Sequence, residues 1–420
     1  MTDASTGDPF SPGRLRAVFG ATLFVRFGFG LSVAIFASYI VGRSSGIDAS
    51  SVGTVGIVSA LAPVGEFSTV LLSGMAADRY GRFPVLFSGM IAAALLLALA
   101  GSTRDPWALG GINLGFGVAS GAILASSLAV VADEAASTER GREMGRFDAV
   151  NLLGWIGGFA VGFGLLGSLP NAELGRLFLA GSGLLALGVV VGFLWTRGHP
   201  QHAPRTAFDP LSILRTVFQK DVLLVTLPWL VIYLLLGTVF VFLGTSATGA
   251  GISPSVLGAL IGGGGLLLLL TQPSLGHLAD RFGRTRLMLV GTVGFVGILV
   301  GAGLLARYGA NPILLGIVGV SALPALAYGP AALAALADLS QTIPRATTMA
   351  IYSLVISLGM LLGLLLSTGL YSRYGANGLD VYFGGIALAL VLLTLWRLDE
   401  VRKRPSLDAP AARGATTPAR

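Results

Sequence analysis

Apolar positions along the chain run in long, nearly unbroken blocks, with neither the alternation of a half-buried strand nor the stripe of a surface helix. A bilayer core of about 30 Å takes about 20 helical residues to cross. Twelve stretches meet that length, at 17–41, 52–74, 84–101, 107–131, 147–167, 176–195, 221–244, 254–275, 286–306, 312–336, 347–370 and 379–396. Lipid offers the backbone no hydrogen-bond partners, so each run is predicted to be a helix that satisfies its own N–H and C=O groups. The first run is too long for a signal-peptide core and is expected to be retained.

Composition agrees and narrows the choice. Hydrophobic residues make up 54% of the 420 positions and charged residues 11%, against about 25% charged in an ordinary soluble domain. So few charges cannot clothe a water-facing surface of this size. The absence of cysteine removes disulfides, thiol catalysis and thiolate metal sites. Three scattered histidines, His199, His202 and His277, give no metal-binding pattern. No nucleotide loop with a Lys-Ser/Thr ending is present, so neither an ATPase nor any other enzyme is expected.

The net charge of +7 would point to nucleic acid only if the basic residues clustered. With a cytoplasmic N-terminus, 21 of the 27 Lys and Arg fall in inner segments, five (Arg43, Arg104, Arg176, Arg307, Arg373) in outer loops, and Arg26 within the first span. That bias is the positive-inside signature. It places both termini in the cytoplasm, fits a plasma (inner) membrane, and leaves no basic domain to grip a duplex.

The chain repeats itself. Gly74-Met-Ala-Ala-Asp-Arg-Tyr-Gly-Arg82 recurs as Gly276-His-Leu-Ala-Asp-Arg-Phe-Gly-Arg284. Asp133, Arg140, Met144, Gly154 and Gly158 return at a shift of 205 as Asp338, Arg345, Met349, Gly359 and Gly363, and Arg26 and Gly30 correspond to Tyr233 and Gly237. The fold class expected is therefore an all-α membrane protein with two pseudo-symmetric six-helix bundles: 1–195, then a cytoplasmic loop at 196–220, then 221–397, and a cytoplasmic tail at 398–420. Two such halves about an axis normal to the membrane are a transporter architecture with its site at their interface.

The doubled G-x-x-x-D-R-x-G-R loop resembles the signature of the major facilitator superfamily, and the likeness spans residues 15–397. The resemblance implies a conformational switch built from Asp78, Arg79, Gly81, Arg82 and Asp133, mirrored by Asp280, Arg281, Gly283, Arg284 and Asp338. Asp78 would face the start of the eleventh helix near Ala346–Thr348, with Arg82 reaching Asp133; Asp280 would face the start of the fifth, with Arg284 reaching Asp338. A carboxylate at a helix N-terminus is favoured by about 0.3–1 kcal/mol, so breaking several such contacts together makes a two-position switch. The arginines also serve as plain positive-inside anchors, but anchoring does not explain the recurring aspartates.

Departures from the family pattern sort the subtype. Asn113 stands where the fourth helix often carries an arginine, the fifth helix lacks a glycine-proline motif, and the sugar-porter sequence after the sixth is missing. Although the missing glycine-proline motif is one that many drug:proton antiporters carry, the buried acid, the short central loop and the lack of sugar-porter marks make the chain resemble the twelve-helix drug:proton antiporter-like members. The function this implies is alternating-access transport, as proton-coupled efflux of an amphipathic small molecule, driven by a proton gradient and without a bound cofactor. The alternatives are uptake of a small organic anion and, from another class, a membrane sensor or lipid scramblase. A monomer in the lipid bilayer is expected.

Two ionisable residues lie well inside spans, and such residues are functional candidates by default. Arg26 and Glu66 are each roughly 12–14 Å from the cytoplasmic boundary on neighbouring antiparallel helices, a spacing that allows a pair. One reading has Glu66 exchanging a proton as the pair opens, or Arg26 receiving an anionic substrate. The other has a permanent pair that only orients two helices. Neither residue has a charged counterpart in the second half, where Tyr233 and Leu268 stand. Asn113, Tyr233 and Tyr328 are further candidates for the pathway, with Trp229, Gln272 and Tyr352 as softer ones. Asp148 at the start of the fifth helix reads as a helix-dipole partner.

Overall fold

The computed structural model describes residues 12–41, 49–134, 140–196, 215–249, 253–309, 311–339 and 345–404. Among them there is no strand, and twelve helical spans are long and apolar enough to cross a membrane. The first half comprises α1 (Pro12–Val41), α2 (Ala49–Tyr80), α3 (Arg82–Ala100), α4 (Pro106–Glu134), α5 (Arg140–Ser168) and α6 (Leu174–Thr196). The second comprises α7 (Lys220–Gly249), α8 (Pro254–Phe282), α9 (Arg284–Tyr308), a tenth span in two pieces, α10a (Pro312–Ala325) and α10b (Tyr328–Leu339), then α11 (Arg345–Tyr374) and α12 (Ala376–Lys403). All twelve expected spans are present.

Lipid tails are as apolar as leucine, so these helices are held together by close packing of small residues rather than by expulsion of water. The repeat read in the sequence is repeated in that packing. A Cβ on Gly154 of α5 would stand 2.7 Å from the Cβ of Arg26 and 2.9 Å from the Leu23 carbonyl oxygen of α1. Its counterpart on Gly359 of α11 would stand 2.5 Å from the Cβ of Tyr233 and 2.8 Å from the Leu230 carbonyl oxygen of α7. The same crossing therefore joins α1 to α5 and α7 to α11.

The tenth span is broken at Leu326–Ala327. Pro330 has no N–H for the Leu326 carbonyl, and its ring displaces that carbonyl. The chain tightens to a three-residue bond, Ala327 N to Pro324 O at 3.1 Å. Gly291 of α9 lets the restart come close, since a Cβ there would lie 2.7 Å from the Tyr328 nitrogen.

The halves meet along α2 with α11 and α5 with α8. At the end of the bundle away from the chain termini, Ala37, Val52, Val55 and Ala60 of the first half pack into one apolar core with Val241, Phe242 and Leu364 of the second. On the other seam, a Cβ on Gly258 of α8 would fall 2.5 Å from the Ala160 oxygen and 2.8 Å from the Gly164 nitrogen of α5. That end of the bundle is closed.

Candidate functional site

The two signature loops fold alike. Gly81 joins α2 to α3 at φ 100° and ψ 150°, and Gly283 joins α8 to α9 at φ 91° and ψ 143°. Only glycine takes this left-handed turn without strain, which accounts for the residue at both positions. Arg79 and Arg281 are exposed, each with its guanidinium about 5.5 Å from the ring of the next residue, Tyr80 or Phe282. Arg82 is half-buried, while Arg284 is 6% exposed. The backbones of Asp78, Asp133, Asp280 and Asp338 lie in helices, but their side chains fall outside the described residues. The expected contacts of the switch therefore lie outside them too, as do the side chains of Asp148, Gln272 and Tyr352.

Arg26 and Glu66 are brought together. Arg26 is 6% exposed on α1, and it is the charged group that acts on the half-buried Glu66 of α2. Two hydroxyls unforeseen in the sequence complete the surroundings of Glu66: Ser120 of α4 and Ser357 of α11, both hydrogen-bonding to its side chain. α4 comes this close because Gly117 has no side chain, a Cβ there being 2.9 Å from the Glu66 nitrogen. Ser357 belongs to the other half, is 1% exposed, and donates to the Ser353 carbonyl at 2.9 Å. Glu66 thus stands at the seam between the halves.

The remaining expected pathway residues separate. Asn113 donates from Nδ2 to the Val58 carbonyl at 3.0 Å and lines a cavity of about 60 Å³ in the first half, closed on one side by Met360 and Leu364 of α11. Tyr233 is a packing residue between α7 and α11, its ring 6.4 Å from that of Trp229 and nearly parallel to it. Tyr328 does not line the interface; it is 1% exposed within the second half, edge-on to Phe295 at 6.0 Å.

The last helix departs from expectation. It runs on to Lys403, past the expected span end at 396, and Arg397 is 3% exposed inside the second half. Its Nε donates to Thr285 Oγ1 at 3.1 Å. Beyond it, Glu400 accepts from Lys220 at 2.8 Å and Arg404 donates to Asp221 at 2.8 Å, tying the end of α12 to the start of α7. The run of charges after Trp396 lowers the local hydropathy and hides the continuation of the helix.

Two six-helix halves with a charged residue at their seam define a multi-pass membrane protein of the two-bundle kind. The family model described as Major Facilitator Superfamily matches residues 18–250 and 237–419. The chain belongs to that superfamily. It is 29% identical over 252 residues to the tetracycline resistance protein, class C, of Escherichia coli, an alignment covering 56% of this chain and 60% of that one. It is 25% identical over 343 residues to the multi-drug resistance efflux pump PmrA homolog of Lactococcus lactis subsp. lactis, covering 79% and 80%. Among solved structures, the nucleoside transporter NupG superposes with a TM-score of 0.66 at 15% identity, over 92% of this chain and 99% of that one. That likeness is one of fold.

Proposed function

We propose that the protein is a secondary transporter that exports an amphipathic small molecule in exchange for protons, by rocking of its two halves. The observation that carries this reading is the position of Glu66, between Arg26 and Ser120 of its own half and Ser357 of the other. The likeness to two relatives, a tetracycline resistance protein and a multidrug efflux pump, supports the export direction. The basic-residue count supports a bundle whose closed end faces outward and whose termini lie in the cytoplasm.

The hydrogen-bond chemistry of Ser357 supplies the coupling. While its hydroxyl proton goes to the Ser353 carbonyl, Ser357 offers Glu66 only a lone pair, which suits a protonated carboxyl. An ionised Glu66 accepts only, so it must draw that proton away from Ser353 or let go of the seam. Proton loss therefore strengthens the pull of Arg26 within the first half and changes the bond to the second. Arg26, drawn to Glu66 and buried, is poorly placed to receive an anionic substrate, which disfavours the uptake reading.

The test is reconstitution into liposomes with an imposed pH gradient and a panel of a cationic dye, a sugar and an organic acid. Gradient-dependent dye movement that is lost in Glu66→Gln supports the reading. Undiminished coupling in Glu66→Gln sinks the role of Glu66, acid accumulation favours uptake, and lipid flipping without solute movement overturns transport.

A further inference from the structure

The cavity that Asn113 lines is not explained by the Arg26–Glu66 pair, and its chemistry is specific. Pro63 lies within α2, where it has no N–H to give the Ser59 carbonyl. Both Ser59 and Pro63 line the cavity. Asn113 spends one amide hydrogen on Val58 O and keeps Oδ1 as an acceptor. The apolar wall includes the rings of Phe29, Phe116 and Phe178, and no charged side chain lines the cavity. An acceptor freed by a proline and a side-chain acceptor beside it, with aromatic rings around them, make a recess able to accept hydrogen bonds from an entering N–H group.

Size limits the occupant. Whole small-molecule sites run to about 300–1,000 Å³, and an apolar cavity of about 150 Å³ takes benzene. At about 60 Å³, this recess holds an end group of a few heavy atoms. We propose that it receives an uncharged N–H-bearing end group of the transported molecule, such as the amino group of an aryl amine or a primary amide, which donates to the Ser59 carbonyl and Asn113 Oδ1. The charged or bulky remainder stays outside the recess, and Glu66, one helical turn from Pro63, is close enough to respond to it. The proposal rests on the export reading for its substrate, but its test does not depend on transport.

The test is equilibrium binding of two lipophilic cations to the full chain in lipid nanodiscs: ethidium, which carries two aryl amines, and tetraphenylphosphonium, which has no N–H. Pro63→Ala is the informative substitution. It restores a backbone N–H that occupies the Ser59 carbonyl and raises helix propensity, so misfolding is not the expected result. Losing one hydrogen bond of about 0.5–1.5 kcal/mol weakens binding about two- to tenfold. Pro63→Ala and, independently, Asn113→Leu are expected to weaken ethidium by that factor and leave tetraphenylphosphonium within about twofold. A parallel loss for both cations, no loss for ethidium in either variant, or no ethidium binding to the unmodified chain overturns the proposal. Retained selectivity without pH-driven movement of either cation upholds the recess and refutes export alone.

Discussion

Gly167 at the end of α5 and Ser255 at the start of α8 face each other across the seam at the closed end of the bundle. A Cβ on Gly167 would lie 3.6 Å from that of Ser255, and disulfides form at Cβ separations of about 3.5–4.5 Å. The chain has no cysteine of its own, so the double variant Gly167→Cys with Ser255→Cys offers a single possible bridge. Mild oxidation is expected to close it once the side chain at 255 turns away from its present place beside the new Cβ. Since the two residues belong to different halves, the bridge removes the open arrangement at that end altogether. By comparison, an effector worth about 1–3 kcal/mol shifts such an equilibrium only about 5- to 150-fold. The assay counts free thiols by the mass added with a maleimide polymer, before and after oxidation, and follows dye movement in the same liposomes. Oxidation should consume both thiols and stop transport, and dithiothreitol should restore both signals. Thiols that survive oxidation would show that the seam is not closed at this spacing. Full transport by the bridged protein would refute the rocking mechanism itself.

Other glycines separate the seam from the interior of each half. Gly258→Ala puts a methyl 2.5 Å from Ala160 O; parting the halves relieves that overpacking of about 1–3 kcal/mol, so labelling of an introduced cysteine near 255 should rise while thermal stability holds. Gly158→Ala meets α1 within the first half, 2.7 Å from Leu31 N, where no such relief exists, and thermal unfolding should show a loss of about 1–3 kcal/mol. Tyr382→Phe removes a hydroxyl that donates to Leu234 O at 2.8 Å and accepts from Thr238 at 2.9 Å; a stability loss of about 1–2 kcal/mol is expected by the same measurement, and none would show those bonds to be idle.

What the sequence discloses and what it hides divide along physical lines. Spans, halves and signature turns rest on local rules: apolar length, the scarcity of charge and the left-handed φ that only glycine accepts at 81 and 283. Arg26 and Glu66 are legible for the same reason, because ionised groups inside spans are rare. Prolines are less informative. Pro63 and Pro228 sit in continuous helices, whereas the span holding Pro324 and Pro330 breaks, so a proline in a span does not by itself foretell a break. Serines are silent for a related cause. Many of them bond back to carbonyls three or four residues earlier, as Ser32 and Ser367 do, and nothing in their spacing sets Ser357 apart.

The repeat explains why the chemistry of one half is so hard to infer from the other. Gly154 and Gly359 fix the same helix crossing, but each asks its neighbour only for a Cβ and a carbonyl in the right place. Arginine meets that demand at position 26 and tyrosine meets it at 233, so the backbone can repeat while the charge does not. In the proposed coupling, the buried Glu66 meets Arg26 in its own half and a hydroxyl across the seam. Position 357 supplies a neutral hydroxyl rather than a counter-ion, and a hydroxyl is the group suited to this place. It answers either protonation state of a carboxyl by turning, where a second charge would fix one of them.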